Sequence, residues 1–275
     1  MVTAYRTEID ESNAQFYGIW KKLGDKFANN EAVELPGVTI SWPGAKWSML
    51  NVVGLSCPVA DPAELEAKVA QAVGYAKTKP VMRMVVACTE WLPRDPEGKN
   101  AAIFREHGLE LGFTLRGMVA DHLLPSRRMP PALEFRRAAS LETRRAFADL
   151  NAIGYDAPLE FGREVADLDG FWDEAFAYVG YKNGRAVTAA ATYVEDNSLY
   201  VGWVATLPKA RRNGYAEAVM RHSLEEAAWS TGLSRTALHA TELGYPIYRA
   251  MGFRQVAFFH VYFPHSIVNE MSNPG

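Results

Sequence analysis

The sequence predicts a mixed α/β protein in which a mostly antiparallel sheet is flanked by helices. Three observations carry this. Short segments alternating apolar and polar residues are interleaved with segments of helical period. The dipeptide Asn183-Gly184 stands between two such alternating runs and supplies the positive φ angles of a hairpin turn. A strand-like run, Tyr200-Val-Gly-Trp-Val-Ala205, passes through a basic, glycine-bearing loop directly into an amphipathic helix. With 275 residues, 48% of them hydrophobic, the chain is long enough for two packed units, each with its own core.

The first half opens with a helix over about 13–27, because Phe16, Ile19, Trp20 and Leu23 fall on one face. Residues 38–42 and 48–56 read as extended. Asp61-Pro62 starts a helix that runs to about 78. Residues 81–91 are strongly strand-like, 101–112 helical and 115–124 a closing strand. Pro125, Pro130 and Pro131 then interrupt every pattern, so the boundary is placed here, giving expected domains of 1–131 and 132–275.

The second half begins with a strand at 133–137. A helix follows, capped by Ser140 with Glu142 and Thr143 in its first turn, and a further helical pattern covers 158–174. Next come the Asn-Gly hairpin and a third strand at 198–205, entered through Glu195-Asp196-Asn197. The helix at 214–229 carries Ala216, Val219, Met220, Leu224, Ala227 and Ala228 as one apolar stripe that ends near Gly232. Strand 236–241, a short helix at 246–251 stopped by Gly252, and strand 253–263 complete the order.

The loop from Pro208 to Ala216 has the makings of an anion site. The first amides of a helix lack intrahelical acceptors, and the helix dipole is positive at that end. Gly214 allows close backbone approach, and Lys209, Arg211 and Arg212 bring positive charge. A pyrophosphate fits this description.

Arg211-Arg212-Asn213-Gly214-Tyr215-Ala216 resembles the signature of the GCN5-related N-acetyltransferase (GNAT) superfamily: Arg or Gln, two residues, Gly, one residue, then Gly or Ala. The later stretch Ala237-Leu-His-Ala-Thr-Glu-Leu-Gly-Tyr-Pro-Ile-Tyr-Arg-Ala-Met-Gly-Phe253 is similar to the superfamily's strand, loop, short helix and Gly-Phe motif. The resemblance covers 133–263. It implies the GNAT acyl-CoA N-acyltransferase fold and acetyl-CoA as cosubstrate, with no metal. It also implies that the two strands around the cofactor splay apart, so that the pantetheine arm lies along Val204, Ala205 and Thr206. A bulge amide near Trp203 or Val204 would face the oxyanion, and the pyrophosphate would rest on the amides of Arg211, Arg212, Asn213, Gly214, Tyr215 and Ala216. Tyr248 falls where the family's tyrosine protonates the departing thiolate; read from the residues alone, it is a core aromatic beside Ile247 and Met251, and the resemblance turns the reading to the proton donor. For the base that frees the amine, His239, Glu242 and Glu195 are candidates beside ordered water. Asn151, Tyr155 and Asp156 are placed near the acceptor mouth, although a solvated loop accounts for them too.

Residues 48–124 repeat the order strand, helix, strand, helix, strand, and Gly112-Phe113 echoes the Gly-Phe ending. Yet Cys57-Pro-Val-Ala-Asp-Pro62 stands where a phosphate loop belongs, without arginine or glycine. The N-terminal half therefore reads as a degenerate copy unable to hold CoA, or as an unrelated α/β cap. The two cysteines, Cys57 and Cys88, lie in apolar runs and read as reduced core thiols. A net charge of -3 gives no general field for nucleic acid or anionic membrane. Without a secretory signal or an apolar span, the expectation is a cytoplasmic protein. Motifs for nucleotide hydrolysis, dinucleotide redox and esterase chemistry are missing. The expected partner is a small-molecule or peptide amine, with monomer and homodimer both open. The rival readings are a non-catalytic acyl-CoA sensor and an interaction module.

Overall fold

The computed structural model describes residues 7–79, 84–95, 97–168 and 170–265. Among the described residues two compact units emerge: 118–255, and 7–117 together with 256–265. The Pro125–Pro131 segment, expected as the boundary, lies inside the unit of 118–255.

In the first unit, helix α1 (Glu8–Gly24) begins at Thr7, whose hydroxyl accepts from the Asp10 amide. It buries Phe16, Ile19 and Leu23 almost completely. Strands β1 (Glu31–Leu35), β2 (Val38–Trp42) and β3 (Val52–Leu55) form an antiparallel meander, and helix α2 (Pro62–Ala76) crosses over to β4 (Met84–Cys88), parallel to β3. The sequence did not announce β1, since Glu31-Ala-Val-Glu-Leu35 is an edge strand with a mostly exposed pattern. The extended run expected over 48–56 begins with a 3-10 turn at Ser48–Leu50, and the one expected over 81–91 ends in another at Thr89–Trp91; residues 81–83 lie outside the described ones. Helix α3 (Lys99–Glu106) stops short of the expected 112, because Gly108, in the left-handed region at φ 77°, turns the chain directly into β5 (Leu109–Ala120). The final strand, β11 (Arg254–Pro264), pairs antiparallel with β4 and stacks Phe259 on Phe16 and Tyr262 on Phe104.

The second unit contains β6 (Glu134–Arg137), α4 (Leu141–Gly154), α5 (Leu159–Ala166), β7 (Phe176–Lys182), β8 (Arg185–Glu195), β9 (Ser198–Thr206), α6 (Tyr215–Thr231), β10 (Thr236–Ala240) and α7 (Tyr245–Met251). Ser140 and Thr143 close a reciprocal capping box at the start of α4. Helix α5 ends at Ala166 rather than 174; beyond it Phe171 and Trp172 are buried, and the Trp172 indole donates to Val165 O. Strands β6 to β9 are antiparallel neighbours, and β10 joins β9 in parallel after the α6 crossover. The Asn183-Gly184 turn takes the predicted form, with φ of 52° and 74°, and the turn at Asp196 and Asn197 has the same pair of positive angles, 44° and 59°. One face of this sheet packs Leu199, Val201, Leu238 and Ala240 against Val219, Met220 and Leu224 of α6. The first unit thus repeats the arrangement of the second as far as the short helix: an antiparallel meander, a helical crossover to a parallel strand, then a short helix.

Candidate active site

Strands β9 and β10 pair only at Leu199–Thr236, Tyr200–Ala237 and Val201–Leu238, although β9 continues to Thr206 and β10 to Ala240. Beyond the last pair the strands part. At that point the β8–β9 register slips, with Ala189 opposite Ala205 but Ala191 opposite Gly202, and Trp203 adopts φ 55°. This is a β-bulge at the expected place. One extra residue inverts the alternation of the backbone. Below the bulge the Leu199 amide donates to Arg235 O, on the β10 side; above it the Leu207 amide donates to Val187 O and Ala205 O accepts from the Thr188 hydroxyl, both on the β8 side. The peptide groups of Val204 and Thr206 therefore face the opening between β9 and β10.

The loop that follows is shaped by two left-handed residues, Arg212 at φ 65° and Gly214 at φ 76°. Gly214 is the N-cap of α6 and no side chain caps that end, so the amides of the first turn point out of the helix without a side-chain acceptor. A Cβ on Gly214 would meet only Pro131 Cδ, at 3.9 Å. Arg212 and Lys209 are exposed. Arg211 does not supply the mobile charge anticipated for it: its guanidinium donates to Thr206 O and to Gly154 O, both at 3.3 Å, and so braces the loop against the end of α4. Asn213 does similar work, its amide nitrogen lying 3.1 Å from Ala210 O and from Arg211 O.

Around the opening stands a group of phenols. Tyr248, on the second turn of α7, is buried, and burial, then Tyr155, pushes its phenol well above the ordinary value. Burial also raises Tyr200, with added repulsion from Tyr155, Tyr248 and Tyr193. Tyr155 follows the end of α4; as a residue it is 37% exposed, yet its hydroxyl end reaches inward, where burial lifts it to about 12 and it donates to Val204 O at 3.4 Å. The Tyr193 hydroxyl is buried with no hydrogen-bond partner among the described residues.

Of the candidate bases, His239 lies on β10 just past the last strand pair. Its Nδ1 is 2.9 Å from the Tyr200 hydroxyl, and burial pulls the imidazole down to about 3. A ring held so far below neutrality is a poor proton acceptor, which counts against a base role. Glu242 is exposed in the turn before α7. Glu195 closes the β8–β9 hairpin opposite Ser198, at the other end of β9 from the bulge. Asn151 is fully buried within α4, its Nδ2 donating to Phe147 O and its Oδ1 unpartnered among the described residues, while Asp156 is exposed at φ 55°. Sequence reasoning passed over Tyr200. The signal was present: the turn at Glu195–Ser198 fixes a register that puts Tyr193 opposite Tyr200, on the sheet face away from α6. No group of three or more metal-ligating side chains occurs among the described residues, and none of their helices is long and apolar enough to cross a membrane.

The first unit has the same opening and fills it differently. Strands β3 and β4 pair through Gly54–Val86, and just beyond that pair the phenol of Tyr17, from α1, lies 3.1 Å from Leu55 O and 3.3 Å from Val86 O. Gly54 makes room for the ring, since a Cβ there would fall 2.1 Å from Tyr17 Cε1.

A parallel strand pair that parts at a bulge and runs into an uncapped helix defines an acyl-CoA N-acyltransferase type of fold. Residues 136–256 match the family model of the acetyltransferase (GNAT) domain, and this part of the chain is a GNAT domain, of a family whose chemistry is acyl transfer. Among solved structures the whole chain is similar to a GCN5-related N-acetyltransferase from Kribbella flavida, at 19% identity and TM-score 0.64, with 95% of this chain and 96% of that one covered. A GCN5-related N-acetyltransferase-like protein from Streptococcus suis 89/1591 aligns at 14% identity and TM-score 0.55, covering 93% of this chain and 98% of that one. A tandem GNAT protein from the clavulanic acid biosynthesis pathway aligns at 11% identity and TM-score 0.53, covering 93% and 94%. At such identities the likeness is one of fold, and it extends over both units. No curated protein matches the sequence.

Proposed function

We propose that the second unit is an N-acetyltransferase that passes the acetyl group of acetyl-CoA to a primary amine by direct attack on the thioester. The observation that carries this reading is the parting of β9 and β10 at a bulge whose following peptide groups, Val204 and Thr206, face the gap. A pantetheine arm fits as an added strand along Val204, Ala205 and Thr206. Its pyrophosphate fits the amides from Arg212 to Ala216, with Arg212 and Lys209 as the available cations and Arg211 holding the loop in shape.

Tyr248 is the proposed donor to the leaving thiolate. A phenol raised by burial keeps its proton at neutral pH, so it offers the developing thiolate a hydrogen bond rather than a second negative charge. As sulfur leaves, it takes one proton; the nitrogen that has attacked gives one up, and Tyr248 can relay between them without net change. With His239 held neutral by burial, removal of the amine's first proton falls to water or to Glu242. The test is release of free CoA from acetyl-CoA across a panel of amino acids, polyamines, aminoglycosides and peptide N-termini. Turnover with one class establishes the enzyme; tight CoA binding without turnover on any acceptor would favour an acyl-CoA sensor instead.

A further inference from the structure

The Val204 carbonyl faces the opening between β9 and β10, yet it already has a donor in the phenol of Tyr155. The same device occurs in the first unit, where the Tyr17 phenol sits on the carbonyls that face the β3–β4 opening. The two plugs differ in strength. Tyr17 has two carbonyls within reach, at 3.1 and 3.3 Å, and a recess made by Gly54, whose missing Cβ accommodates the ring. Tyr155 reaches the Val204 carbonyl over a longer 3.4 Å, stands 37% exposed, and lies where the chain leaves α4, before Asp156 in the left-handed region. The first is built into the core, and the second stands on a partly exposed residue at a helix end.

We infer that Tyr155 is a removable stopper which determines cofactor affinity, holding the backbone acceptor of Val204 until a pantetheine amide replaces it. This rests on reading Val204–Ala216 as the acyl-CoA site. The backbone that carries the stopper is tied to the phosphate loop, because Arg211 bridges Thr206 O and Gly154 O, the residue just before Tyr155. Close packing of Gly154 on Ala205, where a Cβ would stand 3.0 Å away, keeps the end of α4 seated while the side chain swings. A protein whose competent state is only partly populated binds with correspondingly reduced apparent affinity, so removing the competing bond should tighten binding.

The experiment is titration of the full chain with acetyl-CoA by calorimetry, comparing wild type, Tyr155→Phe and Tyr17→Phe. Tyr155→Phe keeps the ring and loses only the hydroxyl, and should bind about 3- to 5-fold tighter, the worth of one modest hydrogen bond. Tyr17→Phe should leave the affinity unchanged and the stoichiometry at one per chain. Equal or weaker binding by Tyr155→Phe, with wild type binding normally, overturns the stopper and leaves the cofactor reading standing. No binding by any of the three overturns the cofactor reading and the stopper with it.

Discussion

Acidification should weaken the second unit through one side chain. Burial holds the His239 ring near 3, against an ordinary value of 6.5, so the folded protein refuses a proton that the unfolded chain accepts. The sign follows from this. A depressed imidazole adds nothing to destabilisation above 6.5, and its cost accumulates as pH falls from 6.5 toward 3, where the unfolded state binds the extra proton. At pH 5 the gap from 6.5 is worth about 2 kcal/mol, since each pKa unit corresponds to about 1.4 kcal/mol. As a whole residue His239 is only partly buried, so a loss of about 1–2 kcal/mol between pH 7.5 and pH 5 is the expected size. Urea unfolding of wild type and His239→Gln at the two pH values measures it. Gln retains polar contact with the Tyr200 hydroxyl and cannot titrate. His260, also lowered by burial, is present in both proteins and cancels in the comparison. Wild type should lose about 1–2 kcal/mol more than the variant; equal losses would show that His239 is not shielded as its surroundings require.

Gly214→Val places a branched residue at φ 76° with its Cβ in open space before the helix, so CoA affinity should fall at least about 100-fold while far-ultraviolet dichroism stays native. Normal affinity would count heavily against the phosphate loop. Tyr248→Phe should lower turnover about 100-fold with the acetyl-CoA dissociation constant nearly unchanged, and an unaltered rate would remove the proton-donor role. Gly54→Ala drives a methyl to 2.1 Å from the Tyr17 ring and should cost about 1–3 kcal/mol of stability in denaturant, without altering acetyl-CoA affinity.

Much of this site was legible in the sequence because its geometry is local. Gly214 and the apolar stripe after it announced an uncapped helix start, and the two hairpin turns fixed the strands on either side of the bulge. What could not be read was long-range. Arg211 looked like a phosphate ligand because arginine beside a glycine loop suggests one, but Gly154, 57 positions away, supplies a carbonyl that engages it. His239 looked like a base because a strand histidine beside a cleft suggests one, but burial and Tyr200, 39 positions away, hold it neutral. The helix expected through 112 failed for a simpler reason: it ends at Glu106, because Gly108 in the left-handed region turns the chain and β propensity takes it from Leu109.

The N-terminal unit has a comparable strand opening without a phosphate loop. Its sequence has neither the arginine nor the glycine of a phosphate loop, which removes the anion anchor, and this much was visible in Cys57–Pro62. Losing the anchor alone would leave unsatisfied carbonyls at the end of the β3–β4 pairing, a cost of about 1–3 kcal/mol for each buried group. Tyr17 removes that cost with a side chain from the first helix, and Gly54 accepts its ring. In the second unit the glycine-bearing loop Arg211–Ala216 is present, and the Tyr155 phenol reaches the Val204 carbonyl over 3.4 Å from a partly exposed residue. A firm plug accompanies the absent loop and a loose one the intact loop, as expected if ligand and tyrosine compete for the same backbone carbonyl.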